Sequence, residues 1–254
     1  METFQLIISI LSTIFTAVAA IASFYAAKAA AKSNKINIEE IQKRDKPVLD
    51  VPSKKFKGPL EKNLLGQWEE GVKDPLKHGA ANYFLNLNNI GNAYARNVVM
   101  HFEYEGLDDF IALYSDGGWT YKDNILSFYL EKKEKQNFHF INFHHFSPKD
   151  EISNKIRLPI FPQYENLGTV QPSKYNTEST KIHIPLFYLL LLNINEYAHR
   201  EIKLFDLFLV IEYTDPFDVK YKQKFSVKPY FNSVEITEKE MEFYGRVICE
   251  EVSA

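Results

Sequence analysis

An uncharged, apolar stretch at the start of the chain restricts the possible folds more than any other feature. From Thr3 to Ala27 the residues TFQLIISILSTIFTAVAAIASFYAA include no Asp, Glu, Lys or Arg. A helix of this length spans about 37 Å at about 1.5 Å per residue, more than the roughly 30 Å of a bilayer's hydrocarbon core. The sequence therefore predicts a transmembrane anchor over residues 1–27, with the lipid bilayer as a partner.

A cleaved signal peptide and a buried core helix are the alternatives to an anchor. Ala17-Val18-Ala19 and Ala20-Ile21-Ala22 resemble signal-peptidase sites. However, a signal peptide has a basic segment before a shorter apolar run. Here only Glu2 precedes the stretch, so the anchor is favoured.

Basic residues after the apolar stretch predict its orientation. They are Lys28, Lys32, Lys35, Lys43, Arg44 and Lys46. Because basic flanks stay on the cytoplasmic side, we expect a single-pass inner-membrane protein with a cytoplasmic C-terminal domain. The helix is expected to continue as a basic juxtamembrane segment over residues 28–45, since Ala, Lys and Glu favour helix and Pro47 ends it.

Small side chains recur every four residues within the anchor. The two rows are Ser9, Thr13 and Ala17, and Ala19, Ser23 and Ala27. Small residues allow two helices to approach closely in a membrane, so these rows predict self-association. The alternative is that they reflect only the alanine content common in membrane spans.

Short β-rich runs dominate the rest of the chain and predict a mainly β fold. They are Pro47–Val51, Ala81–Asn88, Asn97–Glu105, Ile125–Leu130, Asn137–Phe143 and Leu204–Tyr213. Alternating apolar and polar residues in several of them indicate half-buried strands. The turn sequence TDPFD predicts a hairpin over Leu204–Lys228. A two-layer antiparallel β-sandwich with a few decorating helices is expected over residues 46–232.

Two helices and one long loop are predicted in this β-rich part. Phe187, Tyr188, Leu191 and Leu192 share a helical face after Pro185. A C-terminal helix is expected over residues 233–254, because Thr237 and Glu240 have the spacing of a capping box. The stretch Asn166–Thr180 has the composition of a loop.

The run Asn88-Asn89-Ile90-Gly91-Asn92 interrupts a strand pattern that then resumes. A glycine between amides can cradle a phosphate, but phosphate loops lead into a helix, and no helical pattern begins at Ala93. A turn or bulge is therefore predicted, since Gly and Asn tolerate left-handed backbone angles.

The same run carries a resemblance to a known family. Asn89, Gly91, Ala95, Asn97 and Val98 resemble the N-x-G-x-x-x-A-x-N-V pattern of membrane-anchored bacterial immunoglobulin-like β-sandwich proteins, including CARDB-like adhesion modules. RDKPVLDV is similar to their first strand after the anchor. IEYTDPFDVKYKQKF is similar to their late hairpin, with Asp218 in place of the usual glycine.

This resemblance implies a fold and a location near the membrane, and it supplies no catalytic residue. It also implies a role as an accessory or effector component of bacterial defence or signalling systems.

Three histidines, His139, His144 and His145, fall within FHFINFHHFSPKDE. A zinc ion needs imidazoles converging at about 2.0 to 2.1 Å, whereas strand residues six positions apart are separated by about 20 Å. Ordinary strand histidines are therefore favoured over a metal site, and no cofactor is predicted. No H-E-x-x-H or G-x-S-x-G motif is present, so no catalytic residue is assigned.

Alternate positions of DVKYKQKFSVK carry Lys220, Lys222, Lys224 and Lys228. Cations on one strand face could bind a nucleotide, a phosphate backbone or lipid head groups. Lysines also protect edge strands from aggregation, which is the favoured interpretation. With 30 Lys and Arg against 33 acidic residues, the net charge of −3 does not favour nucleic acid as a partner.

These observations predict a non-enzymatic, membrane-anchored cytoplasmic module that binds an unknown protein or small ligand. An oligomerising sensor or effector of a bacterial defence or signalling system is the role expected of it. One alternative is an anchored hydrolase that uses the His139–His145 region. Another is a passive membrane tether or scaffold. The single cysteine, Cys249, excludes an internal disulfide.

Overall fold

The computed structural model forms two compact units, Met1–Lys46 and Pro47–Ala254. It describes residues 2–60, 84–121, 126–133, 138–147, 152–162, 164–176, 178–197, 201–236 and 241–252. The first unit contains helix α1 (Glu2–Arg44), which runs for 43 residues without a break. α1 is long and apolar enough to cross a membrane, a property that an anchor shares with a signal sequence. Its side chains from 13 to 41 are all exposed, so it is not a buried core helix.

The second unit is mainly β. Its described strands are β1 (Leu49–Asp50), β2 (Lys54–Leu60), β3 (Phe84–Asn89), β4 (Ala95–Glu105), β5 (Trp119–Tyr121), β6 (Leu126–Lys133), β7 (Phe138–Ser147), β8 (Ile152–Ile160), β9 (Tyr164–Val170), β10 (Thr180–His183), β11 (Asp206–Thr214), β12 (Lys220–Ile236) and β13 (Met241–Val252). Its described helices are α2 (Leu107–Tyr114) and α3 (Leu186–Tyr197).

These strands form three antiparallel sheets. The six-stranded sheet has the order β2-β13-β12-β11-β4-β9, the four-stranded sheet β5-β6-β7-β8, and the three-stranded sheet β1-β3-β10. The prediction of a mainly β, antiparallel fold with an N-terminal helix and few other helices is confirmed.

One hydrophobic core joins the three sheets and α3. Phe102 and Leu209 point into it from the six-stranded sheet, Phe143 from the four-stranded sheet and Leu85 from the three-stranded sheet. Each is 2% exposed or less. Full burial of such a side chain contributes about 1.5 to 3 kcal/mol.

Two predicted elements of the core region are present. α3 begins after Pro185, and Leu189, Leu190 and Leu191 are all buried, so this helix is enclosed on more than one face. β11 and β12 form the predicted hairpin.

Asp215 holds the turn of this hairpin, because its Oδ1 accepts hydrogen bonds from the amides of Phe217 and Val219. Asp218 has a φ of 63°, a left-handed conformation that glycine adopts more readily than other residues.

The predicted C-terminal helix is wrong. Residues from Met241 to Val252 form β13, which lies between β12 and β2 and pairs with both. Val247 and Cys249 occupy alternate positions of the strand, and both side chains pack in or against the core. This part of the strand is rich in residues that favour β structure. The supposed capping pair, Thr237 and Glu240, lies outside the described residues.

Two further elements differ from the sequence-based expectation. The stretch expected to be a loop from Asn166 overlaps β9, whose mostly exposed side chains give no apolar alternation. α2 was not predicted, because it is short and buries only Phe110 and Tyr114.

Candidate functional site

The outer surface of the six-stranded sheet gathers charged and aromatic side chains from four neighbouring strands. We call it the lysine face and define it by Lys220, Lys222, Lys224, Lys228, Phe208, Val210, Glu212, Val99, His101, Glu103 and Tyr164. Strand register places these residues side by side, because Lys224 pairs with Val210, Val210 with His101, and His101 with Tyr164. The opposite face of the same strands forms the core.

The favoured edge interpretation is wrong for Lys224, which pairs with Val210 of β11 and with Val252 of β13. Within the described residues, Lys220 and Lys222 pair only with β11, and Lys228 pairs only with β13. β12 is hydrogen-bonded to β11 on one side and β13 on the other. The edges of this sheet are β2 and β9. Alternation along a single strand cannot distinguish an edge strand from an interior one, because both can have one polar face.

Lys224 is held at the centre of the lysine face. Its Nζ lies 2.9 Å from Oε2 of Glu103 and 4.3 Å from the centroid of the Phe208 ring. The hydrogen bond from Lys224 holds the pKa of Glu103 below its usual range. The other carboxylate oxygen of Glu103 lies 3.5 Å from Nε2 of His101.

A partly apolar floor lies beneath these charges. Val210 and His101 are buried although they belong to the outer surface of the sheet. The His101 ring packs against the Tyr164 ring, with centroids 4.7 Å apart. Tyr164 is itself 71% exposed, which leaves a large aromatic surface open at the border of the face.

The remaining lysines differ in their partners. Lys222 Nζ lies 3.4 Å from Oε1 of Glu212, a cross-strand ion pair exposed to solvent. Lys220 and Lys228 make no ion pair within the part of the chain that the structure describes. Because Glu103 and Glu212 lie among the lysines, the face has mixed charge and is not a cationic surface suited to a phosphate backbone.

Two of the histidines predicted as an alternative site, His139 and His144, do not converge. His139 and His144 belong to opposite faces of β7, since they are an odd number of positions apart in one strand. The side chain of His145 lies outside the described residues. Among the described residues, no group of three or more His, Cys, Asp or Glu side chains is placed to hold a metal ion.

The interruption at Asn88–Asn92 is a structural turn. The Asn89 side chain is 1% exposed, and its Oδ1 accepts hydrogen bonds from the amides of Val48 and Gly91. Its Nδ2 donates to the carbonyl oxygens of Ala93 and Val170. The Gly91 amide therefore donates its hydrogen bond within the protein. The predicted turn, which was favoured over a phosphate-binding loop, is confirmed.

A small cleft lies beside α3. It has a volume of about 110 Å³ and is lined by Tyr104, Leu158, Pro159, Phe161, Pro185, Leu186 and Phe187. Burial raises the pKa of the Tyr104 hydroxyl, which donates to the carbonyl oxygen of Phe161. Ligand pockets are usually about 300 to 1,000 Å³, so this cleft is too small to be the main site.

The residues predicted for self-association lie on α1. Thr13, Ala17, Ala19, Ser23 and Ala27 are exposed. The side chain of Ser9 lies outside the described residues. Self-association through these rows stays a prediction.

Sequence patterns alone identified the four lysines of the lysine face and missed its other seven members, which include His101, Glu103, Phe208 and Tyr164. The alternation of β4 placed His101 and Glu103 on a polar face, which was the available signal. Their proximity to Lys224 depends on strand order, which alternation does not specify.

No protein-family model, no curated protein and no solved structure matches the chain. The likeness to anchored immunoglobulin-like modules therefore stays a prediction based on sequence motifs.

Proposed function

We propose that this protein is a membrane-anchored module whose β domain lies in the cytoplasm and binds a partner protein through the lysine face. The exposure of the apolar α1 helix carries the membrane part of the proposal. Phe15 is 72% exposed and Phe24 is 66% exposed. Large apolar side chains are unfavourable in water, and a lipid bilayer would cover them.

The charges around α1 support an anchor with a cytoplasmic β domain. Lys28, Lys32 and Lys35 follow the apolar stretch, and Glu2 precedes it. The basic side of a single span remains in the cytoplasm.

The composition of the lysine face supports a protein as its partner. Stable interfaces combine a partly apolar centre with a polar border, and exposed tyrosines often contribute strongly to binding. Phe208 and Tyr164 supply apolar surface, while Lys222 and Glu212 supply charges of both signs. A partner with alternating charges could pair with both, and this arrangement favours specificity more than tight electrostatic attraction.

Site-specific photo-crosslinking in intact cells tests this binding surface. A benzophenone amino acid would replace Tyr164 on the lysine face or, as the matched control, Tyr129, which is 52% exposed on the four-stranded sheet. We expect one discrete adduct with a second protein from position 164 and none from position 129.

A charge-reversal variant then distinguishes specific binding at the lysine face from chance crosslinking to nearby proteins. Lys222→Glu places a carboxylate beside Glu212 and should weaken the adduct formed at position 164. Absence of any adduct at 164, or equal adducts at 164 and 129, would contradict the lysine face as the binding site and favour a passive tether.

A further inference from the structure

α1 extends well beyond the thickness of a membrane. Its 43 residues are about 65 Å long at about 1.5 Å per residue. The uncharged part, Thr3–Ala27, is sufficient for the roughly 30 Å hydrocarbon core. The segment Lys28–Arg44 would therefore continue as about 26 Å of helix outside the bilayer.

This outer segment has exposed apolar side chains. Ile38 is 53% exposed and Ile41 is 41% exposed. Most helices in proteins are stabilised mainly by packing an apolar face, and less by intrinsic helix propensity. A partner helix would supply that packing.

Five apolar side chains and one asparagine follow a seven-residue repeat, whereas Ile36, which is 45% exposed, lies away from it. Phe24, Ala31 and Ile38 occupy one repeating position, and Ala27, Asn34 and Ile41 occupy the position three residues later. This spacing is that of the a and d positions of a coiled coil, which form one seam along the helix. The seam includes Ala27, which also belongs to a row of small residues within the anchor.

We propose that the seam is occupied by the same seam of a second copy of this chain, forming a short parallel coiled coil at the membrane surface. The inference rests on the proposed anchoring. Two copies that cross the bilayer in the same direction bring identical residues to the same depth. The membrane therefore already places the helix of the second copy parallel to the first and in register with it.

The side chains beside the seam are compatible with this pairing. In a parallel two-stranded coil, a g residue faces the e residue five positions later on the partner helix. These pairs are Ala30 with Lys35 and Asn37 with Gln42. Neither pair brings like charges together.

Asn34 is a polar residue of the seam. It lies at a d position between Ala31 and Ile38, where two copies would place their amides against each other. A polar residue within a coiled-coil seam lowers the stability of the pair, so the apolar positions on either side of Asn34 must provide most of the packing.

Cysteine crosslinking in native membranes tests the seam. Starting from a Cys249→Ser variant, single cysteines would replace Ile38 or Ile41 on the seam. Ile36 or Glu40, which lie away from the seam, provide matched positions on the same helix. After mild oxidation, we expect disulfide-linked dimers at the seam positions to exceed those at the control positions by at least about fivefold.

Two outcomes would overturn the inference. Equal or greater crosslinking at the control positions in membrane-embedded protein would exclude this seam while leaving the anchor and the lysine face intact. Recovery of the protein outside the membrane fraction would refute the anchor and the coiled coil together. In addition, Asn34→Leu should raise the yield of the dimer crosslinked through position 38, because it removes the cost of burying a polar side chain, and an unchanged yield would contradict burial of Asn34 in the seam.

Discussion

Substitution of Asn89 by Ala should lower the free energy of unfolding of the β domain more than the loss of a single hydrogen bond would. The Asn89 side chain makes hydrogen bonds to four backbone groups, at donor–acceptor distances of 2.8 to 3.2 Å. At about 1 kcal/mol for each bond, the loss would be about 4 kcal/mol. Water can replace some partners in the turn, which lowers the expected loss to about 2 to 4 kcal/mol.

The free energy of unfolding would be measured on the full-length chain in detergent, by urea denaturation followed through tryptophan fluorescence. Asn88→Ala is the matched control, because Asn88 is the same residue type on the less buried face of β3. The control should lose less than about 1 kcal/mol. Asn89→Asp should also be destabilised, since it replaces the donating amide with an oxygen that faces two carbonyl groups.

A difference of less than about 0.5 kcal/mol between Asn89→Ala and Asn88→Ala would refute this account of the turn. It would show that the amide of Asn89 does not hold the connection between β3 and β4.

Further substitutions test other parts of the β domain. Lys224 lowers the pKa of Glu103, so the pair should stabilise the fold fully at a pH above the ordinary glutamate pKa of about 4.3. This stabilisation should be lost as the pH falls through the lower pKa that Glu103 has in the folded protein. A double-mutant cycle with Glu103→Gln and Lys224→Met should give a coupling of about 0.5 to 1 kcal/mol at pH 7, and a coupling unchanged in acid would contradict it. Gly118→Ala should lower the free energy of unfolding, measured by urea denaturation, by about 2 to 4 kcal/mol, because a β-carbon would overlap the Phe128 carbonyl oxygen. Gly117 has open space around it, so Gly117→Ala should lower the same free energy by only about 1 kcal/mol. Equal losses for the two variants would be inconsistent with the overlap. Burial raises the pKa of the Cys249 thiol to about 12, so iodoacetamide at pH 8 should label it fully only in denaturant, and rapid labelling of the native protein would contradict its burial.

Local patterns in the sequence predicted the elements whose signals are short-range. The alternation around Phe102 identified β4, and the turn residues near Asp215 identified the β11–β12 hairpin. The uncharged stretch up to Ala27 predicted α1 by length alone. In each case the information lies within about a dozen neighbouring residues.

The errors arise where distant pairing decides the structure. Met241, Tyr244, Val247 and Ile248 fit a helical stripe, but β13 is flanked by β12 and β2 and forms a strand. Hydrogen bonds to two neighbours satisfy the backbone of such a strand, and this cannot be seen from local spacing.

The candidate site depended on the same non-local information. The row of lysines was evident from alternation, whereas the position of Lys224 between two paired strands was not. The contact between Lys224 and Glu103 joins β12 to β4 across β11. Only the strand order brings these two side chains together.

Topology mapping of the full-length protein tests the central claim of a cytoplasmic domain held by α1. With tags at both termini, the protein should remain in the membrane after alkaline carbonate extraction and keep both tags. In spheroplasts, the C-terminal tag should resist external protease until the membrane is lysed. Digestion of that tag in intact spheroplasts, or release of a soluble domain that has lost the N-terminal tag, would contradict the account.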